Sequence, residues 1–163
     1  MTPEEHAKLS AESLAVVRAM EDALAAGSNS MQDHFRDDFR WMGNYGSGVK
    51  NGLAEFRRNW QLPLRAAFSD RDYKTDRFLA DGVNVSCFGH IEATHSGPFM
   101  GIEATGKRVT IPYMDFWEVR DGKIADNWVS VDLASVLAQL GKDIFDGEGW
   151  EAFDRNEKEP PQP

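Results

Sequence analysis

The residues best suited to chemistry lie late in the chain, in the runs Ile111 to Trp117 and Ala125 to Val131. Read with the two-residue period of a strand, Ile111, Tyr113, Asp115 and Trp117 share one face, and Met114, Phe116 and Glu118 the other. On the second run Ala125, Asn127, Val129 and Val131 share a face, with Asp126, Trp128 and Ser130 opposite. A carboxylate between Tyr113 and Trp117 is costly to ionise, which lifts its pKa and makes it a competent base near neutrality. Asp115 is therefore the candidate catalytic residue, as an acid or base. The structural alternative is that Asp115 only accepts a hydrogen bond from Tyr113, Asn127 or a backbone amide.

Other reactive residue types have plainer readings. Asp132 directly precedes an apolar helical stripe and reads as its N-cap. His95 opens a loop punctuated by Gly97, Gly101 and Gly106, a kind of segment that borders pockets; its ring can donate to an anionic oxygen or tie down a neighbouring strand. His90 falls on the other strand face, which disfavours a pair of metal-ligating histidines. Cys87 has no basic neighbour in sequence and reads as a small buried hydrophobe. No phosphate-cradling glycine motif, Gly-x-Ser-x-Gly elbow or His-Glu-x-x-His is present.

These residues need elements to position them. Thr2, Pro3 and Glu5 carry the signature of a capped helix start, and Leu9, Val16, Val17, Met20 and Leu24 predict a helix to Ala26. Ser30 with Asp33 predicts a short helix carrying Met31 and Phe35, and Trp41 to Gly52 reads as a loop or irregular strand. Asn51 is the expected cap of a helix with the stripe Leu53, Phe56, Trp60, Leu64 and Phe68, which Pro63 should kink or end. From Arg71 the period shortens. Strands are predicted over Tyr73–Leu79, Val83–His95, Arg108–Val119 and Lys123–Val131, with hairpin turns at Asp81-Gly82 and Asp121-Gly122. Leu133 to Leu140 closes the pattern as a helix. Helices followed by antiparallel strands is the α+β order, here a strongly curved sheet wrapped on about three N-terminal helices in a cone-shaped barrel, with a small-molecule pocket between the layers.

Composition limits the partners. The chain has 163 residues, 41% hydrophobic and 28% charged, with a net charge of -9. No basic stripe exists for nucleic acid, and no apolar stretch is long enough for a membrane span. A single cysteine excludes an intramolecular disulfide. With the acidic start Met-Thr-Pro-Glu-Glu-His it points to the cytoplasm. One domain is expected over residues 1–153, followed by a disordered, charged and proline-rich tail over 154–163. Apolar residues on both strand faces predict a homodimer through the sheet.

The segments His95-Ser-Gly-Pro-Phe-Met-Gly, Thr105-Gly-Lys, Asp121-Gly-Lys-Ile, Gln139-Leu-Gly and Gly147-Glu-Gly-Trp150, in this order, resemble the SnoaL-like polyketide cyclase family of the nuclear transport factor 2-like superfamily. The resemblance covers about residues 5 to 150. It implies a cone-shaped α+β fold, sheet-mediated pairing, and an intramolecular aldol ring closure that uses neither cofactor nor metal. It also implies that Tyr113, Asp115, Asn127 and Val129 face the pocket, that His95 borders it, and that Trp41 forms a stacking wall for the ligand. The family's base, an Asp on the last strand, corresponds to Val129 here. Asn127 stands where the family has a His, Tyr113 and Asp115 where it has Gln and His, and Trp41 where it has Asn.

Three functions follow. One is an enzyme on a cyclic or polyketide-like carbonyl compound, with Asp115 as base or acid and Tyr113, Asn127 or His95 as donors. Another is a non-catalytic binder of a hydrophobic small molecule, with Val129 marking the lost base. The third is a protein-interaction module using the outer sheet face.

Overall fold

The computed structural model describes residues 1–159. Helix α1 (Pro3–Ala25) starts as the sequence requires: the Glu5 backbone N–H donates to Thr2 Oγ1 at 3.1 Å, and the Thr2 N–H donates to Glu5 Oε2 at 2.6 Å. Its Val17 and Met20 are buried against the sheet.

The next segment departs from expectation. Only Met31–Asp33 is helical, as one turn of 3₁₀ helix, and Phe35–Gly43 is a strand, β1. Phe35, Phe39 and Trp41 are its buried residues. A register shift between Phe35 and Arg40 marks an irregularity in the pairing with β6, and Phe35 and Phe39, four residues apart, share a face in a strand as they would in a helix. A tight loop returns to β2 (Val49–Asn51). Gly43 is obligatory here, since a Cβ would lie 2.5 Å from Trp41 Cζ3 and 2.8 Å from the Gly48 carbonyl oxygen.

The second helical arm runs through Pro63 rather than stopping at it. It comprises α2 (Leu53–Phe56), a π-helical turn over Arg57–Gln61, and α3 (Leu62–Ala67). The wider π turn accommodates the proline ring and its missing N–H. Gly52, not Asn51, is the N-cap residue, and the Asn51 N–H donates instead to Glu55 Oε2 at 2.7 Å.

Four strands follow: β3 (Phe68–Asp81), β4 (Asn84–His95), β5 (Arg108–Arg120) and β6 (Lys123–Val131). β3 is longer at both ends than its apolar run suggests. Asp121 and Gly122 both have positive φ, as a two-residue hairpin turn needs. The six-stranded sheet has the order β2-β1-β6-β5-β4-β3. All neighbours are antiparallel except β1 and β6, which run parallel. The curved sheet does not close, so β2 and β3 are edges rather than seams of a barrel. Helix α4 (Leu133–Gln139) is capped by Asp132, whose carboxylate accepts from the Ser135 N–H at 2.9 Å. Helix α5 (Trp150–Asp154) follows, and Lys158 pairs with Asp146 at 2.7 Å. The predicted tail continues into 160–163, which lie outside the described residues.

Candidate active site

Between α1, the α2–α3 arm and the concave face of the sheet lies a cavity of about 90 Å³. Strand alternation places its walls. Asp115 and Val129 are direct partners across β5 and β6, as are Trp117 and Asn127, and Tyr113 and Val131. All six side chains line the cavity. Trp41 reaches it from β1 and stacks on Trp60 of the π turn, with ring centroids 4.4 Å apart. Trp60, Leu64 and Ile111 are shared with a second hollow that opens toward Pro98, Phe99 and Met100. The cavity is apolar and aromatic-walled, as a site for a hydrophobic ring requires.

Asp115 is the polar focus of this space. The Asn127 Nδ2 amide donates to Asp115 Oδ1 at 2.9 Å, while no described residue donates to Oδ2. Burial among apolar neighbours pushes the carboxyl pKa from 3.8 up to about 7; the Asn127 bond opposes this shift and the charge of Glu21 adds to it. No described lysine or arginine pairs with it. A carboxylate with one anchored and one free oxygen, titrating near neutrality, is what proton abstraction from a weak carbon acid needs.

The sequence-derived set thus divides. Trp41, Tyr113, Asp115, Asn127 and Val129 converge on the cavity. His95 does not. It is fully buried at the start of the glycine-punctuated loop, stacked near Phe68 at 5.5 Å. The Thr105 backbone N–H donates to its Nδ1 at 3.2 Å, and Thr105 Oγ1 lies 3.0 Å from the same nitrogen. An accepting Nδ1 places the ring proton on Nε2, which is buried without a partner among the described residues. The ring fastens the loop to the end of β4 and is not part of the cavity lining. Cys87 is buried, and desolvation pushes its thiol pKa well up.

One wall residue escaped the sequence reading. Glu21 of α1 lines the cavity and is the second carboxyl group in it. Burial raises its pKa, and a hydrogen bond from the Thr75 hydroxyl opposes the shift. Its helical spacing from Val17 and Leu24 places it on the buried stripe, a signal visible in the sequence. No group of three or more potential metal ligands occurs among the described residues. No helix of the described residues is long and apolar enough to cross a membrane.

Comparison with known proteins agrees with this architecture. AclR of Streptomyces galilaeus, a candidate hydroxylase, superposes with a TM-score of 0.73 at 25% identity, over 82% of this chain and 87% of that one. A SnoaL-like candidate polyketide cyclase from Jannaschia gives a TM-score of 0.73 at 16% identity, covering 86% of this chain and 95% of that one. IdmH of Streptomyces antibioticus, a candidate polyketide cyclase, gives 0.68 at 21% identity, covering 79% and 98%. No curated protein matches the chain by sequence. The family's sequence pattern matches residues 14–140, from α1 through α4 and so across every wall of the cavity, and the chain belongs to the SnoaL-like polyketide cyclase family.

Proposed function

We propose that the chain is a cofactor-independent acid–base enzyme that removes a proton next to a carbonyl in an apolar, ring-bearing substrate, with Asp115 as the base. The observation that carries this reading is the Asp115 carboxyl itself: half-buried in the apolar wall of the cavity, unpaired with any described cation, and anchored through one oxygen. Asn127 fixes its orientation, Tyr113 faces the same space, and Trp41 with Trp60 supplies a stacking wall for the ring system. The resulting enolate can attack a second carbonyl and close a ring, return the proton elsewhere, or react with oxygen. The hydroxylase description of AclR keeps the last outcome in view.

Val129 at the position of the family's usual base favours a second reading, a binder without turnover. Asp115 differs from that base by one strand, about 4.8 Å. This exceeds the tolerance of a hydrogen-bonded proton transfer, so the family's own aldol substrate should not be turned over in the same pose.

Incubation with a panel of aromatic ketones and polyketide esters, read by mass spectrometry, separates the two. Turnover that falls at least about a hundredfold in Asp115→Asn, with ligand affinity kept, supports the enzyme. Saturable binding with no product for any member of the panel supports the binder. A hydrophobic small molecule is the partner in either case. The single buried thiol suits a reducing compartment such as the cytoplasm. A second copy of this chain is the partner we infer for the exposed outer sheet face.

A further inference from the structure

The cavity's second carboxyl group has no part in the reading above. Glu21 accepts from the Thr75 hydroxyl of β3, and the same Thr75 oxygen lies 2.8 Å from the Tyr113 hydroxyl of β5. Glu21, Thr75 and Tyr113 therefore form an unbranched row of oxygens that ends at the cavity wall. Each hydroxyl carries one proton to give. When Glu21 is ionised it has none, so Thr75 donates to the carboxylate and its own oxygen is left to accept from Tyr113. Tyr113 then meets a ligand with lone pairs only. When Glu21 carries a proton, the row can run in reverse. Glu21 donates to Thr75, Thr75 donates to Tyr113, and the Tyr113 O–H is free to turn into the cavity. The phenol keeps its proton in both states, since burial pushes its pKa well up.

We propose that Glu21, acting through Thr75, is a positioning residue that sets whether Tyr113 offers the cavity a hydrogen-bond donor or an acceptor, so that an anionic ligand oxygen is held only when Glu21 is protonated. The inference deepens the acid–base reading, because the enolate oxygen is the anion that Tyr113 would meet, but its test requires no turnover. Glu21 is faced by Arg18 and Asp22 on its own helix, by Tyr73 and Thr75 on β3, by Cys87 on β4, and by Tyr113 and Asp115 on β5. Burial lifts its pKa and Arg18 opposes the shift. Asp115 and Glu21 repel as anions, so a state with one of them charged is favoured.

The probe is 3,4-dinitrophenol, an aromatic oxyanion that is ionised across the neutral range and whose absorbance reports binding. Measurements are made in the Asp115→Asn background, which removes the other titrating carboxyl. The dissociation constant should rise with pH once Glu21 ionises, approaching about tenfold per pH unit, the limit for one linked proton. Glu21→Gln in that background should bind with no such slope. Tyr113→Phe separates the hydrogen-bonded row from simple charge repulsion, since it removes the hydroxyl that meets the ligand and leaves the Glu21 charge and its Thr75 bond in place. It should flatten most of the slope, and Thr75→Val, which cuts the row but also raises the Glu21 pKa, should do the same across the whole pH range measured. A slope unchanged in Thr75→Val or Tyr113→Phe, a slope that survives Glu21→Gln, or a phenolate that fails to bind at any pH would each overturn the assignment. None of these outcomes bears on whether Asp115 turns over a ketone, so the two readings fail separately.

Discussion

Asp115 and Asp126 stand on neighbouring strands and show how environment divides one side-chain type into two tasks. Asp126 is 2% exposed and held by Arg40 at 2.7 Å and 2.8 Å and by Arg120 at 2.9 Å, which keeps its pKa below the ordinary value. Its folded pKa is depressed, so its stabilisation is present above the unfolded pKa and is lost as pH falls through the folded one. Asp126→Asn should cost about 3 kcal/mol in urea denaturation near neutrality, because two arginines are left over a buried neutral amide. Asp115 has the opposite sign. Its pKa rises from 3.8 to about 7 on folding, so ionising it destabilises the fold as pH climbs between those values. Asp115→Asn should therefore stabilise the protein by about 2–4 kcal/mol above pH 7 and by almost nothing below pH 3.8, seen as a melting-temperature gain that grows with pH. Turnover by the native protein should rise with pH through about 7, as Asp115 ionises. Val129→Asp would set a carboxylate directly across from Asp115. The added like charge should move the midpoint of that pH–rate profile upward, at a cost of a few kcal/mol in stability.

At the scale of elements, legibility followed locality. β4, β5 and β6 with their Asp-Gly turn were readable because each pairs with its sequence neighbour and alternates cleanly. The same alternation sorted Tyr113, Asp115, Asn127 and Val129 onto one face, and with the family resemblance placed four of the cavity's walls. β1 was not readable. Arg36, Asp37 and Asp38 interrupt its apolar residues, the four-residue spacing of Phe35 and Phe39 fits a helix as well as a strand, and its long strand partner is β6 at the other end of the chain. For His95 the position bordering a loop is visible in the sequence, but the Thr105 bonds that hold its ring away from the cavity wall arise only in the fold. Glu21 was hidden by residue type, since a glutamate on a mostly exposed helix ordinarily faces water. Gly43 gives a check on the β1–β2 element. Gly43→Ala should displace the Trp41 ring and lower stability by about 1–3 kcal/mol, with ligand affinity falling alongside; unchanged tryptophan fluorescence would show that the ring had not moved.

Across the whole molecule the unresolved matter of surface is the outer sheet face. Phe88, Met114, Phe116 and Trp128 are 47%, 67%, 43% and 41% exposed, and the Phe116 and Trp128 rings meet edge to face at 5.7 Å. They are contiguous, since Phe88 pairs with Met114 and Phe116 with Trp128 across the strands. A patch of this kind on an acidic protein resists non-specific contact through net charge and favours a matching apolar face. We expect a homodimer in solution through this face. Phe116→Glu with Trp128→Glu should convert it to a species of 18.3 kDa in light scattering, with the fold intact by circular dichroism. A native protein already at that mass would remove the dimer.

The parallel pairing of β1 with β6 also dictates when the site can exist during synthesis. On a ribosome, Phe35, Phe39 and Trp41 emerge early, and the strand that covers their flank is Lys123–Val131. Until then β1 has only the three-residue β2 beside it. The backbone edge of β1 therefore stays unpaired through most of translation, while its aromatic side chains can already pack on Phe56 and Trp60. In amide hydrogen exchange, β1 and β6 should open as one cooperative unit although they lie at opposite ends of the chain.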